Sequence, residues 1–349
     1  MLISSNSQIY RNLNTTQNNA IRAFNSDNEM DYEEICCCIL CGGHSFEDIA
    51  RKDQFGISCY TVCCITCGLI FSKNQLTISA TAIFYDKYYR KIYEGVDGPS
   101  LEHSYYKKLY EGWVAEVPAF IGKSAFVAEI GCGGGWNLLP FHKLNIKHVG
   151  YDFDSSMISY GLEKYGLNLK VGGIDEILLD CREVNYLIVS QVLEHLKDPL
   201  KFLVDLQKIF CKSGLICITV PSLDYMKYLG GNSTHFDLSM NLQNAHNFTF
   251  SEKTLKTLLI KAGYEPILIL GGYALARANS SQLHTEKYNY IGVENLVALR
   301  RIVKYSSIKY KIQSSLPKFI YNILYRTFYL SRPFKTAKYF LLNKIGILL

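Results

Sequence analysis

Residues 127–135 read Val-Ala-Glu-Ile-Gly-Cys-Gly-Gly-Gly, and about one helix later the chain returns to Val149-Gly150-Tyr151-Asp152. An apolar run that ends in clustered glycines predicts a strand entering a tight turn. An acidic residue closing a second strand predicts the ribose end of a nucleoside site. The glycine spacing narrows the ligand. If Gly131 and Gly133 opened a dinucleotide fingerprint, the next glycine would fall at 136, but that position is Trp136 and the next glycine is Gly135. A pyrophosphate cradle is therefore disfavoured. A turn that only joined a strand to a helix would not need the acid at that separation.

With 349 residues the chain has room for one large domain with additions, or for two domains. Although 48% of residues are hydrophobic, no uninterrupted run reaches the roughly 18 apolar residues needed to span a bilayer. Residues 1–34, rich in Asn, Ser and Thr at their start and without an apolar signal core, are expected to be a disordered leader. The expected location is the cytoplasm. The net charge of +6 comes from residues 300–349, where 11 Lys or Arg stand with no acid; the preceding residues hold 26 basic against 31 acidic groups.

Eight of the twelve cysteines lie between 36 and 67. Cys38-Ile-Leu-Cys41-Gly and Cys64-Ile-Thr-Cys67-Gly form two Cys-x-x-Cys-Gly knuckles separated by 22 residues, the pattern of a structural zinc site. Each knuckle lets two thiolates converge on one tetrahedral ion, and the following glycine frees the backbone to turn back. Cys38, Cys41, Cys64 and Cys67 are the expected ligands. A different four of the eight, or a metal-free cluster of small buried thiols, is the competing reading.

Apolar strands alternating with amphipathic helices follow from residue 126: strands at 126–131, 148–152, 168–171, 186–190, 215–220, 266–271 and 293–299, with helices at 136–144, 155–165, 199–211 and 251–262. This pattern predicts an α/β fold, a doubly wound sheet covered on both faces and mostly parallel. The expected divisions are the leader 1–34, a zinc-binding module 35–75, a helical cap 76–122 with tyrosine-rich stretches at 80–93 and 104–110, the main domain 123–299 and a basic amphipathic tail 300–349.

The stretch Glu129-Ile-Gly131-Cys-Gly133-Gly-Gly135 resembles the first motif of class I S-adenosylmethionine-dependent methyltransferases, and Ser190-Gln-Val-Leu-Glu-His195 resembles their fourth. With the four-Cys module and the segment His246-Asn-Phe-Thr-Phe-Ser251, the chain is similar over about residues 36–272 to deoxysugar C-methyltransferases and their relatives. The resemblance implies a seven-stranded Rossmann-like sheet whose last strand is antiparallel. It also implies S-adenosylmethionine as cofactor, and a structural Zn2+. Glu129 would stand near the cofactor's amino-acid end, with Gly131, Gly133 and Gly135 forming the turn beneath it. Asp152 would hold the ribose hydroxyls. Asp175 would meet the adenine amine or cap a short helix, and Ser190, Gln191 and Val192 would line the sulfonium.

His246 and His195 are the candidate bases, each with a packed or loop-bonded histidine as the alternative. In the family an acidic residue precedes the histidine equivalent to His246, whereas here Ala245 does. A carbon becomes nucleophilic only once a base makes an enolate, while a hydroxyl needs modest activation, so C- and O-methylation both stay open. A tyrosine before the domain also acts in the family, and Tyr88 or Tyr89 is the nearest. The expected acceptor is a small molecule: a sugar, a nucleotide sugar or a surface-glycan intermediate. An RNA-modifying methyltransferase and a non-catalytic cofactor-binding scaffold are the competing classes; nucleic acid is disfavoured because the body outside the tail is net acidic. The tail, with basic residues between Ile, Leu, Phe and Tyr, suits either peripheral contact with the inner membrane face or packing on the body.

Overall fold

The computed structural model describes residues 12–96, 121–224, 241–278 and 294–300, together with Ile3 and Leu238. The tyrosine-rich stretch at 104–110, expected to be helical, and the tail beyond Arg300 lie outside the described residues.

Five short strands come first: β1 (Tyr32–Glu34), β2 (Phe46–Lys52), β3 (Ser58–Cys64), β4 (Ile70–Ser72) and β5 (Asn74–Leu76). Residues 12–34, expected as part of a disordered leader, are instead ordered. A helix spans Thr15–Ser26, opened by an Asn14–Gln17 capping box that satisfies two otherwise orphaned amides. Its Phe24 packs edge-on against Phe84 and Tyr88 of the following region, and β1 pairs with β5. A polar composition hid two buried apolar positions, Ala20 and Phe24, at helical spacing.

The main sheet is assembled from β6 (Phe126–Ile130), β7 (Lys147–Asp152), β8 (Leu169–Val171), β9 (Val184–Ser190) and β10 (Phe210–Thr219). It is completed, after a two-residue strand β11 (Phe248–Thr249) that belongs elsewhere, by the last two strands among the described residues, β12 (Tyr264–Leu270) and β13 (Tyr273–Ala278). The order is β12-β13-β10-β9-β6-β7-β8, parallel from β10 to β8, with β13 antiparallel to both of its neighbours. This is the expected mostly parallel, seven-stranded Rossmann-like sheet.

Alternation along the strands fills two cores. Ala128, Ile130, Val149, Leu187, Val189, Ile216 and Ile218 face one side, and Val127, Tyr186, Ile188, Leu215 and Cys217 face the other. Both faces are covered, so the strands read as nearly continuous apolar runs. The register sets Ile130 opposite Tyr151 and Val189, and Thr219 opposite Ser190. Four strand ends therefore come level along one edge, where ligands of such sheets bind.

Three elements differ from the sequence reading. Residues 294–300 are helical rather than a strand, with Leu296 and Leu299 buried three positions apart. The seventh strand is β13, Tyr-Ala-Leu-Ala-Arg-Ala, whose alanines favour a helix by propensity but are buried between β10 and β12. The helix expected to reach 211 ends earlier, at Leu206 with one 3-10 turn to Ile209, because β10 already begins at Phe210.

The cysteine-rich region is not an independent unit. Its sheet runs β11-β4-β3-β2, and β11, far along the chain, pairs Phe248 with Phe71. Cys38, Cys64, Leu69 and Phe71 share one core cluster with Val189, Leu203 and Leu255. The N-terminal sheet thus anchors the segment that follows β10.

Candidate functional site

The turn after β6 is shaped by backbone angles that side chains rarely adopt. Gly131, Gly133 and Gly135 have φ of 70°, 51° and 77°. Space forbids a side chain as well: a Cβ on Gly131 would stand 2.3 Å from Val192 Cγ2. Asp152, at the end of β7, accepts from the Gly133 amide at 2.8 Å through one oxygen and from the Asp154 amide at 2.9 Å through the other. It therefore holds the turn from the neighbouring strand, and burial raises its carboxyl.

Glu129 is 1% exposed. Its Oε1 accepts from Asn137 Nδ2 at 2.6 Å, while Oε2 is buried with no partner. Burial pushes this carboxyl well above the usual range. Buried polar atoms in native structures are normally partnered, and this orphaned oxygen lies on the strand that leads into the glycine turn. Asn137 was not singled out from sequence; its only signal was a polar residue in the first turn after the glycines.

Beyond β8, Asp175 lies exposed in the first turn of the helix Ile174–Asp180, and the capping is done by Glu176, whose Oε2 accepts from the Gly173 amide at 2.7 Å. Phe153, directly after Asp152, is 80% exposed, and its ring lies so close over Gly173 that a Cβ there would meet it at 2.4 Å. An exposed aromatic ring at this edge is the second residue that the sequence reading missed. At the end of β9, Ser190 Oγ pairs with Thr219 Oγ1 at 2.7 Å, and Gln191 has a left-handed φ of 55° while its amide donates to the Thr219 carbonyl at 2.8 Å. The strained Gln191 turns Val192 onto Gly131, so the Gly131–Gly135, Asp152 and Ser190–Val192 groups meet along one edge.

A second cluster stands just past Val192. Glu194 has a side chain with no exposure, and neither carboxylate oxygen has a hydrogen-bond partner. Burial drives its carboxyl up to about 8. His195 Nδ1 lies 2.9 Å from the Ala245 carbonyl and 2.8 Å from the Tyr85 hydroxyl. Because a carbonyl only accepts, Nδ1 carries the ring proton and Nε2 is the bare nitrogen. Burial lowers His195 to about 4 and holds His246 well below the usual imidazole range, so both rings are neutral at pH 7. The two rings meet edge to face at 4.7 Å between centroids.

The tyrosines divide by helical spacing. Tyr85 and Tyr89, four apart in sequence, both pack against His195, with centroids at 6.1 and 6.4 Å. Tyr88 points elsewhere and donates to Asp27 at 2.6 Å. Tyr85, which the sequence reading did not select, is the tyrosine whose hydroxyl reaches the histidine.

Three anchors hold His246 near His195. Asn247 Nδ2 donates to the His195 and Leu196 carbonyls at 2.8 and 3.2 Å, and the Ala245 amide donates to the Tyr93 hydroxyl at 3.2 Å. Asp53, buried between β2 and β3, accepts from the Asn244, Phe55 and Ile57 amides at 3.0, 2.8 and 2.9 Å. Its carboxyl is raised by burial to about 6.

On the opposite side of the N-terminal sheet, Cys38, Cys41, Cys64 and Cys67 converge, with all four sulfurs within 4.8 Å of one another. The Cys38–Cys67 and Cys41–Cys64 pairs stand 3.4 and 3.5 Å apart. A tetrahedron with metal–sulfur bonds of about 2.3 Å has edges of about 3.8 Å, close to these separations. The knuckles turn through Gly42 and Gly68, with φ of 73° and 76°, whose amides return to the Cys38 and Cys64 carbonyls. Hydrogen bonds among the thiols lower Cys64 and Cys41 and raise Cys38 and Cys67. Of the remaining four in this stretch, Cys59 and Cys63 are buried and Cys36 and Cys37 are exposed.

Residues 103–269 match the family model of a methyltransferase domain. Over 140 residues the chain is 24% identical to a "probable S-adenosylmethionine-dependent methyltransferase" of Mycolicibacterium smegmatis, covering 40% of this chain and 51% of that protein. Over 146 residues it is 23% identical to one of Mycobacterium tuberculosis, covering 42% and 50%. The match spans about half the length of these relatives. Among solved structures, a SAM-dependent methyltransferase from Archaeoglobus fulgidus aligns with a TM-score of 0.40 at 18% identity, over 49% of this chain and 94% of that one. The plantazolicin methyltransferase BpumL aligns with a TM-score of 0.43 at 16% identity, over 57% and 93%. By these matches, residues 103–269 are similar to the methyltransferase domains of proteins described as S-adenosylmethionine-dependent methyltransferases.

Proposed function

We propose that this chain is a class I S-adenosylmethionine-dependent methyltransferase acting on a small molecule: a sugar, a nucleotide sugar or a surface-glycan intermediate. The observation that carries the cofactor assignment is the buried, unpartnered Glu129 Oε2 beside a turn in which Gly131 has no room for a side chain. Glu129 would receive the cofactor's ammonium group. The free face of Asp152 would take the ribose, and Phe153 with Asp175 would flank the adenine. Ser190, Gln191 and Val192 would border the sulfur.

When bound, S-adenosylmethionine supplies a methyl group already activated on a sulfonium, so the protein's main task is to hold acceptor and methyl in line and exclude water. His195 and His246, both neutral and directly past Val192, are the groups able to receive a proton from an acceptor hydroxyl or from the carbon beside a ketone. Tyr85 reaches the same nitrogen as the Ala245 carbonyl and would orient the His195 ring, while Tyr89 packs beside it; Tyr88 serves the helix 15–26 instead. Zn2+ bound by Cys38, Cys41, Cys64 and Cys67 would fix the knuckles and, through β4 and β11, the segment carrying His246. The sugar assignment rests on the resemblance to deoxysugar enzymes. No helix among the described residues is long and apolar enough to cross a membrane, and contact with a bilayer would fall to the basic tail.

The test is incubation of the full chain with methyl-labelled S-adenosylmethionine and a panel of nucleotide sugars, with the label located by mass spectrometry. Label on a sugar carbon or oxygen supports the reading. Label only on an added RNA pool, or on nothing while the cofactor still binds, overturns the acceptor assignment.

A further inference from the structure

The domain's described chemistry needs no metal at the acceptor side, yet three potential ligands meet there. Glu194, His195 and His246 bring one carboxylate oxygen and two imidazole nitrogens within 4.8 Å of one another. Glu194 Oε1 and His195 Nε2 are 3.9 Å apart, too far for a hydrogen bond between them. Both Glu194 oxygens and His246 Nδ1 are buried without a hydrogen-bond partner. Three buried polar atoms left unpartnered in one cluster are costly, and groups of this kind in native structures are normally satisfied.

Hydrogen bonds within the cluster do not relieve the cost. His195 Nδ1 is already committed to the Ala245 carbonyl, which fixes the ring with Nε2 turned toward Glu194. A histidine that donates its second nitrogen to a backbone carbonyl while presenting the first is the usual arrangement of a metal ligand. The backbone supports the same geometry: Asn247 ties the 195–196 turn to the His246 segment, and the Phe248 amide donates to the Glu194 carbonyl at 3.2 Å. The site is thus preformed by two segments about fifty residues apart.

We infer that Glu194, His195 and His246 bind a divalent first-row transition cation, distinct from the ion of the four-cysteine cluster. Two imidazoles and one carboxylate suit manganese, iron or zinc, whereas the thiolate cluster selects zinc. Three protein ligands leave coordination positions open. Resting on the methyltransferase reading, those positions would take an oxygen of the acceptor.

The test uses the full-length, zinc-replete protein dialysed to equilibrium against Mn2+, which prefers oxygen and nitrogen donors and avoids thiolates. Free Mn2+ is read by electron paramagnetic resonance and total bound metal per chain by mass spectrometry. Wild type should hold about one cation per chain more than Glu194→Gln or His246→Gln, each binding Mn2+ more than about tenfold more weakly. His142→Ala, on the far side of the sheet, should match wild type. Circular dichroism checks that the variants fold. A wild-type total of one metal or fewer per chain overturns the inference without any variant, as do equal totals in wild type and folded Glu194→Gln. Calorimetry with S-adenosylmethionine on the same samples separates the two readings. A chain that binds the cofactor but lacks the second cation sinks this inference alone. One that takes the second cation but no cofactor sinks the methyltransferase reading and leaves the metal site standing.

Discussion

The glycine turn and the histidine cluster stand at the same sheet edge but are built in opposite ways. Residues 129–137, with Asp152 from the next strand, make the first from one short stretch: three left-handed glycines, a buried Glu129 and the Asn137 that holds it. The second needs Tyr85, Glu194 with His195, and His246, and it is kept in place by Asp53 in the N-terminal sheet. On the proposed function, cofactor handling is therefore local in the chain, and acceptor handling depends on the cysteine-rich region.

Disrupting the proposed zinc site in that region should break the comparison most severely. Cys64→Ser deletes one of four converging thiolates next to a core shared with Val189 and Leu203. Structural zinc sites contribute about 10 kcal/mol or more of apparent binding energy in small modules, so loss of a ligand should destabilise this region by several kcal/mol. Limited proteolysis should cut first near β2 to β4. If the regions are coupled through β11 as described, methyl transfer should fall before cofactor binding does.

Gly131→Ala is the counterpart on the local side. The substitution meets a left-handed φ, costing about 1–2 kcal/mol, and overpacking against Val192, costing about 1–3 kcal/mol more. Thermal unfolding should show that loss, and cofactor binding should weaken more than about a hundredfold at that energy. The four-cysteine site should keep its zinc.

Asp53→Ala sharpens the link between the regions, because it leaves three buried amides without their acceptor, at about 1–3 kcal/mol for each that stays unsatisfied. Activity should drop while cofactor affinity stays. The same residue gives a pH signature. Its folded carboxyl lies at about 6 against an ordinary 3.8, so between those values the native state holds the proton and the unfolded state does not. Stability from this group is therefore full below about pH 4 and is lost as pH rises through 6. Denaturant unfolding across that window should show a falling contribution in wild type that is absent in Asp53→Ala.

The smallest expected effects separate the tyrosines. Tyr85→Phe removes the hydroxyl at His195 Nδ1 and should lower kcat about tenfold, with a change in stability of less than about 1 kcal/mol. Tyr88→Phe removes a hydroxyl that meets only Asp27 at the protein surface, and kcat should not change.

The same contrast explains how much of the molecule could be read from its sequence. Six of the seven strands of the main sheet carried β-branched or apolar runs between turn residues, and the knuckle spacing alone selected the four cysteines that converge. The seventh strand failed because alanines say little about which neighbours will bury them. Helix 15–26 was hidden because only Ala20 and Phe24 reach the core. Tyr85 was missed although its four-residue spacing from Tyr89 places both on one helix face, a signal that nearness in sequence to the domain does not carry. Glu194 drew attention as part of a motif, but its lack of partners emerges only when the segment around His246 folds over it.

The central claim is that the bend from Gly131 to Gly135, with Glu129 and Asp152, receives S-adenosylmethionine. Isothermal titration of the full chain with that compound tests it most directly. The account predicts one site per chain, lost in Gly131→Ala and weakened in Glu129→Gln. No heat from correctly folded wild-type protein, or equal binding in wild type and Gly131→Ala, would contradict it.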